Sequence, residues 1–257
     1  MNRGDLKRKF RNRLPVLAGW TSLGHPQIAE MLCRSGVDFL GIDLEHSTIS
    51  QEQAQCIIAA SQASGVACIP RVASHNGESI RRLLDSGADG VLVPTVETSD
   101  QVRRLIEWVK YPPVGRRGFG VARAQGYGHD FEGYVSHWNE TSVLILQIES
   151  IQAVENIGEL LQFDEVDGVM IGPYDLSGSL GIPGQIESEL VSEASRVVLA
   201  SCERHHKACG THLIQPDSES VETALSDGYT FLALASDVFV LQKWGKDTHE
   251  LIRRFHD

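Results

Sequence analysis

Two acidic residues, Glu149 and Asp175, each stand just downstream of a short apolar run in the stretch VLILQIES…DGVMIGPYDL. The runs Val143–Ile148 and Val169–Ile171 have the length of buried strands and are bounded by polar, Gly or Pro positions. A helix-sized segment, Ile151–Gln162, lies between them. This reads as a β-α-β unit, so the two strands are expected to be parallel, with their ends on one side. Glu149 and Asp175 then meet above buried strands and repel unless something neutralises them. One answer is a divalent cation that favours hard oxygen ligands, such as Mg2+, Mn2+ or Co2+. The other is that each carboxylate caps a helix or pairs with an arginine.

The elements that must position these residues follow a rhythm. Strand-length apolar runs alternate with amphipathic helix-length segments. The runs are Val16–Trp20, Phe39–Ile42, Val66–Ile69, Val91–Val93, Val143–Ile148, Val169–Ile171, Ala208–Leu213 and Phe231–Ala235. Eight strands alternating with helices in 257 residues point to a single α/β domain, a (β/α)8 barrel. A doubly wound open sheet is the runner-up, weakened because no GxGxxG follows the first strand. Polar residues gather at the C-terminal ends of the strands, where barrel enzymes carry their chemistry. They are Asp43, Glu45 and His46; Arg71; Thr95 and Glu97; Gln147 and Glu149; Tyr174 and Asp175; Thr211 and His212; Ser236 and Asp237. Several end otherwise apolar inward-facing files, which packing does not explain.

Composition narrows the classes of function. A formal charge of −11 argues against nucleic acid or an anionic membrane surface as the partner. No apolar run reaches the length of a membrane span, and the N-terminus lacks the apolar core of a secretory signal. Five cysteines without a CxxC pair fit a reducing cytosol, so a cytoplasmic location is expected. Residues 1–14 are basic, with Leu6, Phe10 and Leu14 at a spacing that docks one face of a short helix. The charge there is expected to be a solvated face. Residues 111–140 are long for a connection, and long loops in compact domains are often functional. Residues 237–257 read as an amphipathic helix, with Val240, Leu241, Trp244, Leu251, Ile252 and Phe255 on or near one face. His205, His206 and His256 sit in polar, helix-like stretches and are expected at the surface.

The segments IDLEHS (42–47), IPRV (69–72), GVLVPTVET (90–98), YPPVGRRGFGVARAQGYG (111–128), LQIES (146–150) and IGPYDLSGSLG (171–181) resemble the HpcH/HpaI family. These are metal-dependent class II aldolases acting on pyruvate-derived 2-keto acids. The motifs keep the family's order and spacing from about residue 14 to residue 240. The resemblance implies a barrel of the pyruvate/phosphoenolpyruvate type. It also implies a homo-oligomer, a hexamer built as a trimer of dimers, whose last helix packs on a neighbouring subunit.

Carried onto this chain, the resemblance makes Glu149 and Asp175 the metal ligands and has Gln147 orient the keto acid. Arg71 would contact the keto oxygen, and the backbone at Gly172-Pro173-Tyr174 would hold the substrate carboxylate. Trp20 and His212 join the substrate-binding set. His46, paired with Asp43, would handle protons, since histidine titrates near neutrality and a carboxylate three residues earlier can fix its tautomer. The chain departs from the family pattern at Ser47, Thr95, Tyr174 and His212, all expected near the mouth of the site. The expected reaction is cleavage or formation of a 4-hydroxy-2-oxo acid from a keto acid and an aldehyde. Two alternatives stand beside it. One is a citrate-synthase-type condensation of oxaloacetate with acetyl-CoA, performed by a siderophore-synthesis branch of the family. The other is a catalytically silent barrel that binds keto acids.

Overall fold

The computed structural model describes residues 1–256. Eight parallel strands close into a barrel in sequence order. They are β1 Val16–Thr21, β2 Phe39–Asp43, β3 Ala67–Arg71, β4 Gly90–Val93, β5 Val143–Ile148, β6 Gly168–Ile171, β7 Ala208–Leu213 and β8 Phe231–Leu234. The helices are α1 Arg3–Arg11, α2 Pro26–Cys33, α3 Gln51–Ala63, α4 Gly77–Asp85, α5 Ser99–Val109 and α6 Phe131–Thr141, then α7 Ile151–Glu155, α8 Ile157–Leu161, α9 Pro173–Ser179, α10 Glu189–Arg204, α11 Ser218–Ser226 and α12 Asp237–His256. The expected barrel is present, and closure excludes the open-sheet alternative. The single helix expected over 151–162 is instead two short ones, interrupted at Asn156.

Alternation along the strands splits the apolar residues into two cores. The outward set packs between strands and helices. The inward set fills the barrel and includes Ala18, Trp20, Phe39, Ile69, Ile145 and Phe231. Two glycines make room for bulky neighbours. A Cβ on Gly41 would come within 2.3 Å of the Trp20 ring, and one on Gly210 within 2.3 Å of Phe231.

The N-terminal ends of the even strands share one device. Asp38, Asp89, Asp167 and Thr230 immediately precede β2, β4, β6 and β8. Their side chains accept from the backbone N–H of Leu17, Cys68, Leu144 and Cys209, each the second residue of the preceding odd strand. Three of the four acceptors are carboxylates, and α1 meets each with a cation. Lys9 Nζ lies 3.0 Å from Asp38, Arg3 Nη1 3.9 Å from Asp89, and Lys7 Nζ 2.7 Å from Asp167. Between these contacts Leu6 and Phe10 close the floor of the barrel. The basic N-terminus is therefore only partly the solvated face expected: Lys7 is buried and Arg3, Lys7 and Lys9 meet carboxylates, while Arg8 and Arg11 stay exposed. Leu14 falls outside α1 and stays half exposed.

The long connection 111–140 is a structural clasp. Arg117 is buried among the rings of Tyr111, Tyr134 and Trp138 and bonds Asp85 at 2.7 Å. It follows the C-terminal end of α5, and none of its residues borders the cavity at the strand ends described below. No described helix is long and apolar enough to cross a membrane.

Candidate active site

A cavity of about 580 Å³ opens at the C-terminal ends of the strands. Trp20, Asp43, His46, Arg71, Gln147, Gly172, Pro173, Tyr174, Asp175 and His212 all border it. Beside it lies a smaller cavity of about 160 Å³, bordered by Glu45, His46, Thr95, Glu97, Glu149, Ser150 and Asp175. His46 and Asp175 belong to both walls, so the two cavities adjoin.

A chain of polar contacts runs around the rim. Arg71, the last residue of β3, is in register with Asp43, the last of β2. The pairing is two-pronged, with Arg71 Nη2 at 2.8 Å from Asp43 Oδ2 and Nε donating to Oδ1 at 3.2 Å. Bidentate pairing fixes the plane of a guanidinium. Arg71 Nη1 also donates to Gln147 Oε1 at 3.4 Å, and its guanidinium lies over the Trp20 ring. Gln147 Nε2 in turn donates to Glu149. The other oxygen of Glu149 accepts from the Thr95 backbone N–H at 2.6 Å. Thr95 holds φ 53°, a left-handed conformation that is costly for a β-branched residue. That strain sits where the amide meets the carboxylate, the usual context for strain at a functional site.

Four carboxylates border the smaller cavity, Glu45, Glu97, Glu149 and Asp175. Burial pushes Glu149 above the usual carboxylate range, and the charges of Glu45 and Asp175 add to the rise. Burial also raises Glu45, against the pull of Arg71 and His46. Glu45 Oε2 is buried without a hydrogen-bond partner, 3.3 Å from Arg71 Nε. Among the described residues no cluster of three His, Cys, Asp or Glu side chains is set to hold an ion unaided. The donor set still suits a hard divalent cation: oxygen only, excess negative charge, and one buried oxygen without a hydrogen bond. Glu149 and Asp175 are the candidate ligands, with coordination left open to substrate and water.

A model of the HpcH/HpaI aldolase/citrate lyase family matches residues 17–243. The chain belongs to this family. The 4-hydroxy-2-oxovalerate aldolase of Novosphingobium aromaticivorans is 33% identical over 235 residues, covering 91% of this chain and 88% of that one. A 2-keto-3-deoxy-L-rhamnonate aldolase of Escherichia coli is 35% identical over 241 residues, covering 91% and 87%. The crystal structure of an HpcH/HpaI family protein from Burkholderia cenocepacia superposes with a TM-score of 0.91 at 27% identity, covering 97% of this chain and 99% of that one.

Within this HpcH/HpaI site the structure rearranges one sequence expectation. Asp43 does not pair with the His46 imidazole. Its carboxylate takes Arg71 and the backbone N–H groups of Glu45 and His46, which closes the turn after β2. The His46 ring is largely exposed, and its nearest carboxylate is Glu45 at 3.7 Å. Ser47 borders neither cavity; its hydroxyl donates to the Asp43 carbonyl within the same turn. Glu45 is the residue that the sequence reading left without a role. Asp237 has a structural task. It accepts from Thr21 Oγ1 and from the backbone N–H of Ser22 and Leu23, tying the start of α12 to the end of β1 and the loop after it.

Proposed function

We propose that this HpcH/HpaI protein is a divalent-metal-dependent aldolase that cleaves or forms a 4-hydroxy-2-oxo acid, with a keto acid as donor and an aldehyde as acceptor. The observation that carries the reading is the contact chain Asp43–Arg71–Gln147–Glu149, which ties a fixed guanidinium to a buried carboxylate site at the strand ends. The aldolase names of its relatives agree with it. Glu149 and Asp175 would hold the ion, which when bound supplies Lewis acidity toward the keto and carboxylate oxygens of the substrate.

The chain's own residues divide the remaining work. Carbon–carbon cleavage leaves negative charge on the keto oxygen. Arg71, held by Asp43 and Gln147, presents its guanidinium to that charge without reorganising. Gln147 orients the keto acid between Arg71 and Glu149. A cradle at Gly172 keeps that space open, since a Cβ there would come within 3.1 Å of both Gln147 and Glu149. Gly172 N–H is taken by the Ile148 carbonyl and Pro173 has none, so the N–H groups of Tyr174 and Asp175 in the first turn of α9 are the ones left for the substrate carboxylate. His46, at the shared edge of the two cavities, takes the proton of the 4-hydroxyl through water.

The test is exchange of pyruvate methyl protons in deuterium oxide, with and without a chelator. Metal-dependent exchange is expected, and its absence would favour the silent barrel. Citrate formed from oxaloacetate and acetyl-CoA, with no aldol turnover, would overturn the aldolase reading. The working unit is a homo-oligomer, a trimer of dimers, with α12 lying on a neighbouring subunit. The exposed Val240, Leu241, Trp244, Leu251, Ile252 and Phe255 support this, being a helix face that the subunit itself leaves uncovered. The five free cysteines fit a cytosolic setting.

A further inference from the structure

His212 borders the larger cavity with one ring nitrogen committed and the other free. Alternation along β7 turns Ala208, Gly210 and His212 toward the interior. His212 Nε2 lies 2.8 Å from the carbonyl oxygen of Ala235. A carbonyl only accepts, so Nε2 carries the proton. Ala235 itself holds φ 54°, and its N–H donates to the Leu213 carbonyl at 2.7 Å, so the chain after β8 is pinned beside the ring. Trp20 and Phe239 flank the imidazole at ring-centroid distances of 5.5 and 5.9 Å, which limits its rotation. Nδ1 has no hydrogen-bond partner among the described residues and, unlike Glu45 Oε2, is not a sealed atom. Burial and the nearby Arg71 charge hold the ring below the usual imidazole range, so it is neutral near pH 7. Nδ1 is then a lone-pair acceptor. Met170, Leu213, Ile214, Val238 and Phe239 border the same cavity and give its wall apolar stretches.

We propose that His212 Nδ1 accepts a hydrogen bond from a hydroxyl group on the substrate chain, which makes His212 a specificity-determining residue that favours hydroxylated substrates. The inference rests on the aldolase reading of the site. A fixed acceptor in an apolar wall is left unpaired by an analogue lacking the hydroxyl, a loss of roughly 10–100-fold. The hydroxyl has two possible sources, C3 of the donor keto acid or the chain of the aldehyde.

Matched pairs separate them. Hydroxypyruvate is compared with pyruvate against one aldehyde, and glycolaldehyde with acetaldehyde against pyruvate, each with Mg2+, Mn2+ or Co2+. The wild type is expected to favour the hydroxylated member of one pair in kcat/KM, and that pair names the source. His212→Leu is expected to bring the ratio close to one. His212→Asn, which keeps an acceptor, is expected to retain part of it and guards against a misfolded leucine variant. No preference in the wild type for either pair, or a ratio unchanged in His212→Leu, would overturn the role of His212. Failure of every pair to react would instead overturn the aldolase reading. The dissociation constants of hydroxypyruvate against pyruvate, and of glycolaldehyde against acetaldehyde, in wild type and His212→Leu then decide on His212 alone, and ratios equal in the two proteins for both pairs would reject it.

Discussion

Arg71 owes its position to Asp43, its register partner on the neighbouring strand, and this changes what Asp43 is expected to do. If Asp43 oriented His46, Asp43→Asn would slow only steps that move a proton. Because Asp43 grips Arg71 on two nitrogens, Asp43→Asn is expected to release the guanidinium and slow every reaction that needs charge at the keto oxygen. Oxaloacetate decarboxylation and aldol cleavage share that need, but only the second must deprotonate a hydroxyl. Arg71→Ala and Asp43→Asn are therefore expected to lower both, Arg71→Ala by roughly 10²–10³-fold. His46→Ala is expected to lower aldol cleavage by roughly 10²–10⁴-fold and spare most decarboxylation. Measuring kcat/KM for both reactions in the three variants decides it; equal losses in His46→Ala would rule out a proton-transfer role. Glu149→Gln and Asp175→Asn are expected to abolish turnover with circular dichroism unchanged, and full activity after exhaustive chelation would contradict this. Thr95 serves Glu149 through its backbone N–H, so Thr95→Gly keeps the contact and relieves the left-handed strain. It is expected to retain activity within a few-fold and to gain up to about 1 kcal/mol in denaturant unfolding.

The N-terminal helix shows how one element answers the geometry of a whole barrel. Every even strand is preceded by an acceptor for the backbone of its odd neighbour, which leaves three carboxylates facing the floor. Arg3, Lys7 and Lys9 project from two successive turns of one short helix to meet them. The Lys7–Asp167 pair is nearly inaccessible, with side chains 3% and 1% exposed. Removing one partner of such a pair strands the other charge in a low dielectric. Lys7→Met is therefore expected to destabilise by about 3–5 kcal/mol in urea unfolding. A loss below about 1 kcal/mol would mean that water reaches Asp167 once the lysine is gone. Lys9→Met breaks a more exposed pair and is expected to cost about 1 kcal/mol or less.

At the scale of the whole molecule two further measurements follow. Lys110 is buried near the barrel floor, where its ammonium donates to the carbonyls of Asn139 and Ser142 and to the Ser142 hydroxyl. Burial, with the charge of Lys7 close by, pulls it from 10.5 down to about 7. Between those values the unfolded chain binds the proton and the folded chain does not. Stability contributed at this position therefore rises as pH increases from about 7 toward 10.5. Comparing unfolding of the wild type and Lys110→Met at pH 6.5 and 9.5 is expected to show an extra gain for the wild type at high pH, at most about 3 kcal/mol. A parallel pH response in both proteins would contradict it. The second measurement concerns α12. A truncation must spare Asp237, because it holds the loop after β1, and Phe239, because it flanks His212. Ending the chain after Gln242 is expected to lower the oligomeric state in sedimentation while leaving the barrel folded. A full-length protein that sediments as a stable monomer at micromolar concentration would refute the assembly.

The sequence by itself determined the rhythm of the barrel and the set of polar residues at its C-terminal rim. It could do so because strand burial and strand ends are local properties, written in runs of adjacent residues such as Val143–Ile148 followed by Glu149. Only the tertiary structure decided which of those residues touch. Asp43 stands three residues before His46, and that nearness suggested a pair. The barrel instead sets Asp43 in register with Arg71, 28 residues away, where a guanidinium offers two donors to the carboxylate. The same limit hid Glu45, whose closeness to Glu149 and Asp175 arises from three separate strand ends. It also hid the partners of the basic N-terminus, since Asp38, Asp89 and Asp167 are brought under one helix only when the sheet closes. Long-range pairing depends on register and closure, which no local pattern encodes. For that reason the proton on His212 is set by a carbonyl 23 residues downstream.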